Sequence, residues 1–317
     1  MLKYIFTRVF MAILVIFFIA SLTFWLSRAI PGGPFSRERP LSPLIIANLE
    51  RKYNLDKPVF EQYLHFMKNV AMFDFGPSYL IPGETVNSII ARTFPVSCYL
   101  GIWAFLIAIV MGIPLGIISA LMENKAPDAA IKVMTTLFIT IPNFVVATML
   151  MYFLGYKLRL LPPALWGTWR HAVMPIVALS ALPLATVTKY MRSSMLEVLD
   201  AEYIRTARAK GAGSFTVHYV HALKNALLPI LTVSGPMFVW IICGSVVIEQ
   251  IFAVPGLGKQ FTKAIFERDY SMIMGLTIFY ATILIAITLL VDVLYSLVDP
   301  RIKISQGRKG LSGGEGA

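Results

Sequence analysis

Charge is what this chain has least of. Asp, Glu, Lys and Arg make up 14% of its 317 residues and hydrophobic residues 57%, whereas soluble domains are about a quarter charged. So little polar surface cannot cover a soluble globule of this length, and a membrane protein is implied. Acidic residues are scarcer still, 17 against 28 basic, for a net charge of +11. In a membrane protein such an excess reflects cytoplasmic loops rich in Lys and Arg, so no nucleic-acid partner is inferred. Cysteine is nearly missing. Cys98 and Cys243 both lie in apolar surroundings, which excludes a disulfide framework and metal-ligand spacing and leaves two inert buried thiols.

Catalytic signatures are missing too. The nearest approach to a phosphate-binding loop is Gly258-Lys259, but Gln260 follows where Ser or Thr is required, and position 253 is Ala. No G-x-G-x-x-G occurs. His218 and His221 stand three apart without an acidic or cysteine companion, which suits interfacial histidines better than metal ligands. The apolar runs contain no Ser/His or His/Glu constellation, which argues against a membrane-embedded hydrolase. No catalytic residue, metal or bound cofactor is expected.

What the chain does have is long apolar runs. A spanning helix needs about 20 apolar residues. Six stretches qualify or nearly so: Val9 to Ile30, Pro95 to Met122, Val133 to Tyr156, His171 to Thr188, Ala226 to Ile248 and Tyr270 to Val291. The fourth is short and carries Pro175 and Pro183. The first is too long for a signal-peptide core and lacks a small-residue cleavage site after it, so a retained anchor is expected. With the N-terminus inside, the inside segments hold 14 Lys and Arg and the short outside loops 6. That bias places both termini in the cytoplasm. Pro31 to Phe94 then lies outside. It opens on the turn signal "PGGP" and holds two short amphipathic helices around Pro58, a layer too small for an independent core. Asp292 lies flush against the last run, near its inner end, where a water-reaching structural role weighs against a functional intramembrane acid.

The runs are also interrupted. "MGIPLG" falls inside the second and "TIPNF" inside the third, while Pro229, Gly235, Pro236 and Gly244 fall in the fifth. Two readings stand side by side: a bundle that changes shape around a path, or the ordinary kinks of spanning helices.

Between the fourth and fifth runs lies "EYIRTARAKGAGSFTVHYVHALKNALLPIL", Glu202 to Leu231. Leu196, Leu199, Tyr203 and Ala207 recur at helical spacing, predicting an amphipathic helix over Leu196 to Lys210. Glu202 and Arg205 form a possible i,i+3 pair. Gly211 fits a C-cap and Ser214 an N-cap of the next helix, Phe215 to Ala226, which leads into the fifth run. A cationic juxtamembrane helix can simply bind anionic headgroups. That accounts for the charge but not for the Gly-Ala-Gly break or the Leu-Pro that follows. A helical elbow on which a partner protein pushes accounts for both.

These residues resemble the EAA loop of ABC importer permeases, the cytoplasmic coupling helix that fits a cleft in the ATPase subunit. Arg205-Thr206-Ala207 stands at the Glu-Ala-Ala positions, Gly211 at the Gly and Leu228-Pro229 at the Leu-Pro. Arg205 in place of the acid, and the longer spacing to Leu-Pro, resemble the oligopeptide/dipeptide/nickel subfamily, as do "RTARAKG" and "HALKNALLP". The resemblance covers essentially the whole chain, including "LSRAIPGGPF", "FDFGPSY", "VNSIIARTFPVS", "VIEQIFAVPGLGKQFTKAIFERDYSMI" and "VDVLYSLVDPRI", and it favours the oligopeptide branch over dipeptide or nickel relatives.

The resemblance implies an all-α membrane protein with the six-helix type I importer (MetI-like) fold, in a bacterial cytoplasmic membrane. It divides the chain into a first helix (1–30), an extracytoplasmic segment (31–93), the permease domain (94–298, with the coupling loop at about 196–226) and a cytoplasmic tail (299–317). It implies ATPase coupling through Arg205, Thr206, Ala207, Arg208, Lys210 and Gly211. It places Glu249, Phe252, Pro255, Gly256 and Gly258 in an outer loop near the path or the binding protein, where spacing alone reads an interfacial helix carrying Phe261 and Ile265. The implied partners are a second permease chain, two ATP-binding subunits that hold ATP and Mg, and an extracytoplasmic peptide-binding protein, all within membrane lipid. A stand-alone secondary transporter or channel is the competing class, against which stand the absence of intramembrane charged pairs and of visible inverted repeats.

Overall fold

The computed structural model describes residues 2–30, 35, 42–243 and 246–298, and of these the side chains of 6–30, 35, 42, 44–242 and 246–290. Asp292 and Cys243 therefore fall outside the described side chains, and Gly244 outside the described residues. The helices are α1 (Leu2–Ala29), α2 (Pro43–Lys52), α3 (Val59–Ala71), α4 (Val86–Leu121), α5 (Ala126–Thr140), α6 (Asn143–Leu150), α7 (Trp169–Leu199), α8 (Glu202–Ala209), α9 (Leu223–Cys243), α10 (Val246–Ile251), α11 (Leu257–Glu267) and α12 (Tyr270–Val298). Met151–Lys157 extends α6, and Thr216–Ala222 precedes α9, as π-helical turns. Among the described residues five helices are long and apolar enough to cross a membrane, and six spans result if α5 and α6 form one span bent by 103°.

The bend is a single broken span because of how its neighbours run. Leu100 and Ala104 of α4 share a buried cluster with Ala172 and Met174 at the start of α7. Ile117 and Ala120, near the end of α4, share another with Met191 and Met195 toward the end of α7. The two helices are therefore parallel, and the chain between them must return across the bundle. The break falls where "TIPNF" predicts it. Pro142 has no N–H to continue α5, and Ile141 before it is extended (ψ 122°).

Elsewhere proline does not break the helices. Pro95 and Pro114 lie inside a continuous α4, and Pro229 and Pro236 inside α9. "MGIPLG" is thus not an interruption. A Cβ on Gly112 would stand 2.9 Å from the Val187 side chain, and one on Gly116 2.5 Å from that of Met191. The stretch is a small-xxx-small contact that lets α4 and α7 approach closely, as lipid-embedded helices do.

The fourth run, short and proline-bearing in sequence, becomes the centre of the bundle. α7 has 31 residues, roughly 46 Å at the helical rise, well beyond a hydrocarbon core of about 30 Å. It is also the most buried span. By contrast α1 is largely exposed on its apolar faces and sits at the periphery.

The layer formed by α2 and α3 rests on the end of α1. Pro58 precedes α3, whose Tyr63 and Phe66 pack on Phe24 at centroid distances of 5.4 and 5.5 Å, and the Tyr63 hydroxyl meets that of Ser21 at 2.8 Å. Phe35 stacks on Tyr53. Buried Asp269 accepts hydrogen bonds from Ser78 Oγ, from the Tyr79 and Leu80 amides, and from Met272 N in the first turn of α12. One carboxylate thus pins the layer's loop to the last span. Burial pushes the neighbouring Tyr79 phenol up to about 12.

Candidate functional site: an elbow and a capped loop

Counting the crossings, α8 lies at the end of the bundle where α4 and α7 finish and α9 begins. The single helix expected over Leu196 to Lys210 is in fact two. α7 stops at Leu199, Ala201 is extended (ψ 146°), and α8 starts afresh at Glu202. The break turns α8 so that Ile204, not Tyr203, faces inward. Ile204 is fully buried in the cluster with Met195, Val217 and Ala222, while Tyr203 is exposed and receives a hydrogen bond from Asn225 at 2.8 Å.

Gly211 ends α8 as expected. Its φ is +82° and a Cβ there would meet nothing within 4 Å. The Gly211 N–H donates to Arg208 O at 3.0 Å and the Ala212 N–H to Ala207 O at 3.1 Å. This is the two-bond Schellman closure, which glycine enters without steric cost. The following helix begins at Ser214, with Val217 N donating to Gly213 O at 3.0 Å. Ser214 is therefore its first residue and not its cap. The predicted Glu202–Arg205 pair is not formed. Arg205, Arg208 and Lys210 are exposed, with no ion-pair partner among the described residues. Thr206 is exposed, its hydroxyl bonded back to Glu202 O, and Ala207 is half-buried. Phe215 and Tyr219 stand exposed nearby with ring centroids 4.8 Å apart. Sequence reasoning passed over this aromatic pair because four-residue spacing in so apolar a chain does not reveal the outward face.

The Glu249–Gly258 loop is built the opposite way. Glu249 in α10 is buried, and Ser97 Oγ of α4 donates to its Oε1 at 2.7 Å. Its Oε2 accepts from Lys259 N at 2.9 Å, and Leu257 N donates to Ser97 Oγ at 2.8 Å. The first turn of α11 is capped by a carboxylate and a hydroxyl from other elements, satisfying donors that every helix N-terminus leaves over. A Cβ on Gly256 would lie 2.3 Å from the Glu249 carboxyl carbon, and one on Gly258 3.0 Å from Val246. Phe252 is buried, and its carbonyl accepts from Leu165 N at 2.8 Å. Of the five loop residues only Pro255 is exposed. Four of them fasten α4, α10 and α11 together. Of the loop helix's expected apolar side, Phe261 is half-buried and Ile265 exposed, with Leu257 and Ala264 forming the buried edge.

A third cluster was missed. Asp128 of α5 is fully buried and accepts from Arg192 Nε at 2.8 Å, Arg192 Nη2 at 3.0 Å, Lys132 Nζ at 2.8 Å and Asn124 N at 3.0 Å, and also from Ser119 Oγ. The pair lies at the elbow end, just beyond the apolar runs Val133 to Tyr156 and His171 to Thr188, so the expectation that no charged pair lies within those runs is untouched by it. Its members are 64 positions apart, and nothing in the local pattern of either points to the other.

Beside the bend lies an apolar cavity of about 590 Å³ between α5, α7 and α9, with Pro142, Phe144, Pro183, Met237 and Trp240 in its walls. Trp240 is 76% exposed, so this face is open.

The model of the binding-protein-dependent transport system inner membrane component family matches residues 112–304, and that of its N-terminal component residues 1–101. The dipeptide transport system permease protein DppB of Bacillus subtilis (strain 168) is 45% identical over 304 residues, 96% of this chain and 99% of that one. The oligopeptide transport system permease protein OppB of Salmonella typhimurium is 42% identical over 305 residues, 96% of this chain and all of that one. Among solved structures, an inward-facing MetNI methionine ABC transporter chain superposes with a TM-score of 0.56 at 15% identity, over 67% of this chain and 96% of that one. That likeness establishes the MetI-like fold. The chain belongs to the binding-protein-dependent transport system inner membrane component family: it is a non-catalytic permease subunit of an ABC importer, whose ATP is hydrolysed by separate subunits.

Proposed function

We propose that this chain forms half of the translocation path of a peptide importer and takes its drive through α8. The observation that carries the reading is the elbow's construction. It is held by Ile204 and the Gly211 closure, yet exposes the Phe215–Tyr219 pair and presents Arg205, Arg208 and Lys210 with no ion-pair partner among the described residues. Exposed arginines beside an aromatic pair are what a protein interface enriches, whereas a purely lipid-binding helix needs no such rigid mount. Both termini and the elbow then face the cytoplasm, in keeping with the bias of positive residues. The outer loop lies on the far side, toward the binding protein. Its buried residues Glu249, Phe252, Gly256 and Gly258 support that surface from beneath, and exposed Pro255 lies on it.

Peptide is the cargo named for the relatives at 45% and 42% identity, one for dipeptides and one for oligopeptides. One elbow offers one ATPase contact, so a second, related permease chain completes the path above two ATP-binding subunits that carry the ATP and Mg. Their closure draws the elbows together and opens the bundle outward beneath the loaded binding protein.

Reconstitution in liposomes with a labelled peptide tests this directly. Uptake requires this chain, its permease partner, the ATPases, the binding protein and ATP together. Uptake by this chain alone without ATP rejects the importer reading in favour of a secondary transporter. For orientation, single cysteines at exposed Ser42 and Ser214, in a background lacking Cys98 and Cys243, are labelled in intact cells with an impermeant thiol reagent. Ser42→Cys reacts and Ser214→Cys does not; the reverse pattern overturns the assignment.

A further inference from the structure

A peptide path has to change shape when the elbow moves, and α8 itself contributes no residue to the cavity wall. Two kinds of element connect it to the cavity. α7 and α9 line the wall and are each continuous with one limb of the elbow. The other is α5, which carries the bend at Ile141–Pro142 in the cavity wall but is not continuous with the elbow.

The Asp128 cluster makes that second connection. Arg192 lies in α7, ten residues before α8 begins. It grips the Asp128 carboxylate with two nitrogens, Nε at 2.8 Å and Nη2 at 3.0 Å. The same carboxylate takes the Ser119 hydroxyl of α4 and the Asn124 amide of the α4–α5 turn. Arg192 also approaches Glu123 at 3.5 Å. The carboxylate is fully buried. Lys132 Nζ also reaches it at 2.8 Å, so losing Arg192 costs it orientation rather than all compensation. Losing the Asp128 charge instead leaves the half-buried Arg192 guanidinium with only Glu123, at 3.5 Å. A two-pronged contact fixes orientation as well as distance. From Asp128, α5 runs as an uninterrupted helix to the bend, about 20 Å away at the helical rise. Rotation of the elbow end of α7 is thereby delivered to Phe138, Ile139 and Pro142 in the cavity wall.

We propose that Asp128, gripped by Arg192, is a positioning residue that locks α5 to the elbow end of α7, so that elbow movement displaces the bent third span and reshapes the cavity beside it. The inference rests on the elbow being the ATPase contact. Its own content is that transport and ATP hydrolysis are coupled through this ion pair.

The test uses the complete transporter in liposomes, with labelled trialanine uptake and ATP hydrolysis measured on the same vesicles. Asp128→Asn keeps the shape and removes the charge. The ATPases remain bound and hydrolysis continues, while peptide imported per ATP falls by at least about fivefold, the lower end of typical coupling between sites. Arg192→Lys keeps the charge but forfeits the two-pronged grip and gives an intermediate ratio; it carries the test should Asp128→Asn fail to assemble. Asp128→Glu, which restores the charge, recovers part of the ratio. An unchanged ratio in the assembled variants overturns the proposal, as does a fall of uptake and hydrolysis in fixed proportion, the signature of a merely structural role. Arg208→Glu separates the two ideas: if that variant binds and drives the ATPases normally, the elbow reading has failed whatever Asp128 does.

Discussion

The elbow at Glu202–Gly211 and the loop at Glu249–Gly258 use the same residue types for opposite ends. Each sets glycines beside charged residues at a helix terminus. At the elbow the charges point out, and Gly211 is required by its backbone angle in open space. In the loop the charge points in, and Gly256 is required because the Glu249 carboxyl occupies the place of a side chain. A glycine needed for φ and a glycine needed for room look identical in a sequence. They differ in what replaces them.

The largest effect is expected at Gly256. Gly256→Val drives a branched side chain into the buried, doubly bonded Glu249 carboxyl. Overpacking costs about 1–3 kcal/mol, occasionally more, and with no escape for a pinned carboxylate the upper end applies. The measurement is thermal unfolding of the purified complex together with the amount of chain in the membrane, both of which drop. Gly256→Asn drops as far. Gly211→Asn, in contrast, leaves stability and transport near wild type, since Asn tolerates the left-handed region. Gly211→Val costs about 1–2 kcal/mol locally and abolishes transport with the chain still inserted. Equal tolerance of Asn at both glycines would erase the distinction.

Next come the charges. Glu249→Gln replaces a carboxylate that accepts from Ser97 and from the Lys259 amide; hydrogen bonds to charged groups contribute about 1.5–3 kcal/mol. The melting temperature falls, and ATPase association is unchanged. Arg208→Glu does the reverse. An exposed substitution moves stability by no more than about 0.5 kcal/mol, while association with the ATPases weakens in a salt-dependent manner. Should Arg208→Glu melt early, or Glu249→Gln lose the ATPases, the inward/outward division is wrong.

How much of this was legible follows from what each feature depends on. The spans, the break at "TIPNF" and the Gly211 closure depend on neighbours within a few positions, through hydrophobic run length, proline's missing N–H and left-handed φ. They read directly. The face of α8 does not, because the chain breaks at Asp200–Ala201 and the helical phase restarts, replacing Tyr203 by Ile204. "MGIPLG" reads as an interruption because Gly and Pro weaken a helix in water, whereas inside a bundle Gly112 and Gly116 signal close approach, and only the opposite helix tells which applies. Ser97 with Glu249, and Asp128 with Arg192, are partners 152 and 64 positions apart. One sequence carries no mark of such pairing. The loop residues were therefore identified as a group while their direction, into the protein, was not.

The smallest effect tests the comparison where the two regions are most alike. α10 ends with the same closure as α8: Ala253 N–H donates to Gln250 O at 3.2 Å and Val254 N–H to Glu249 O at 2.9 Å. Yet the left-handed residue here is Ala253, at φ 53°. An L-residue there costs about 1–2 kcal/mol, and glycine removes that strain. Glycine also has more freedom to lose on folding, a penalty of roughly 0.5–1 kcal/mol relative to alanine. The terms nearly cancel, so Ala253→Gly changes stability by no more than about 1 kcal/mol, on the stabilising side, with transport intact. Gly211→Ala reverses both terms and leaves a small net loss. Melting temperatures of the two variants, measured side by side, should move in opposite directions by similar small amounts. If Ala253→Gly destabilises strongly, the Ala253 methyl group contributes packing that its left-handed backbone does not explain, and the two closures are not equivalent.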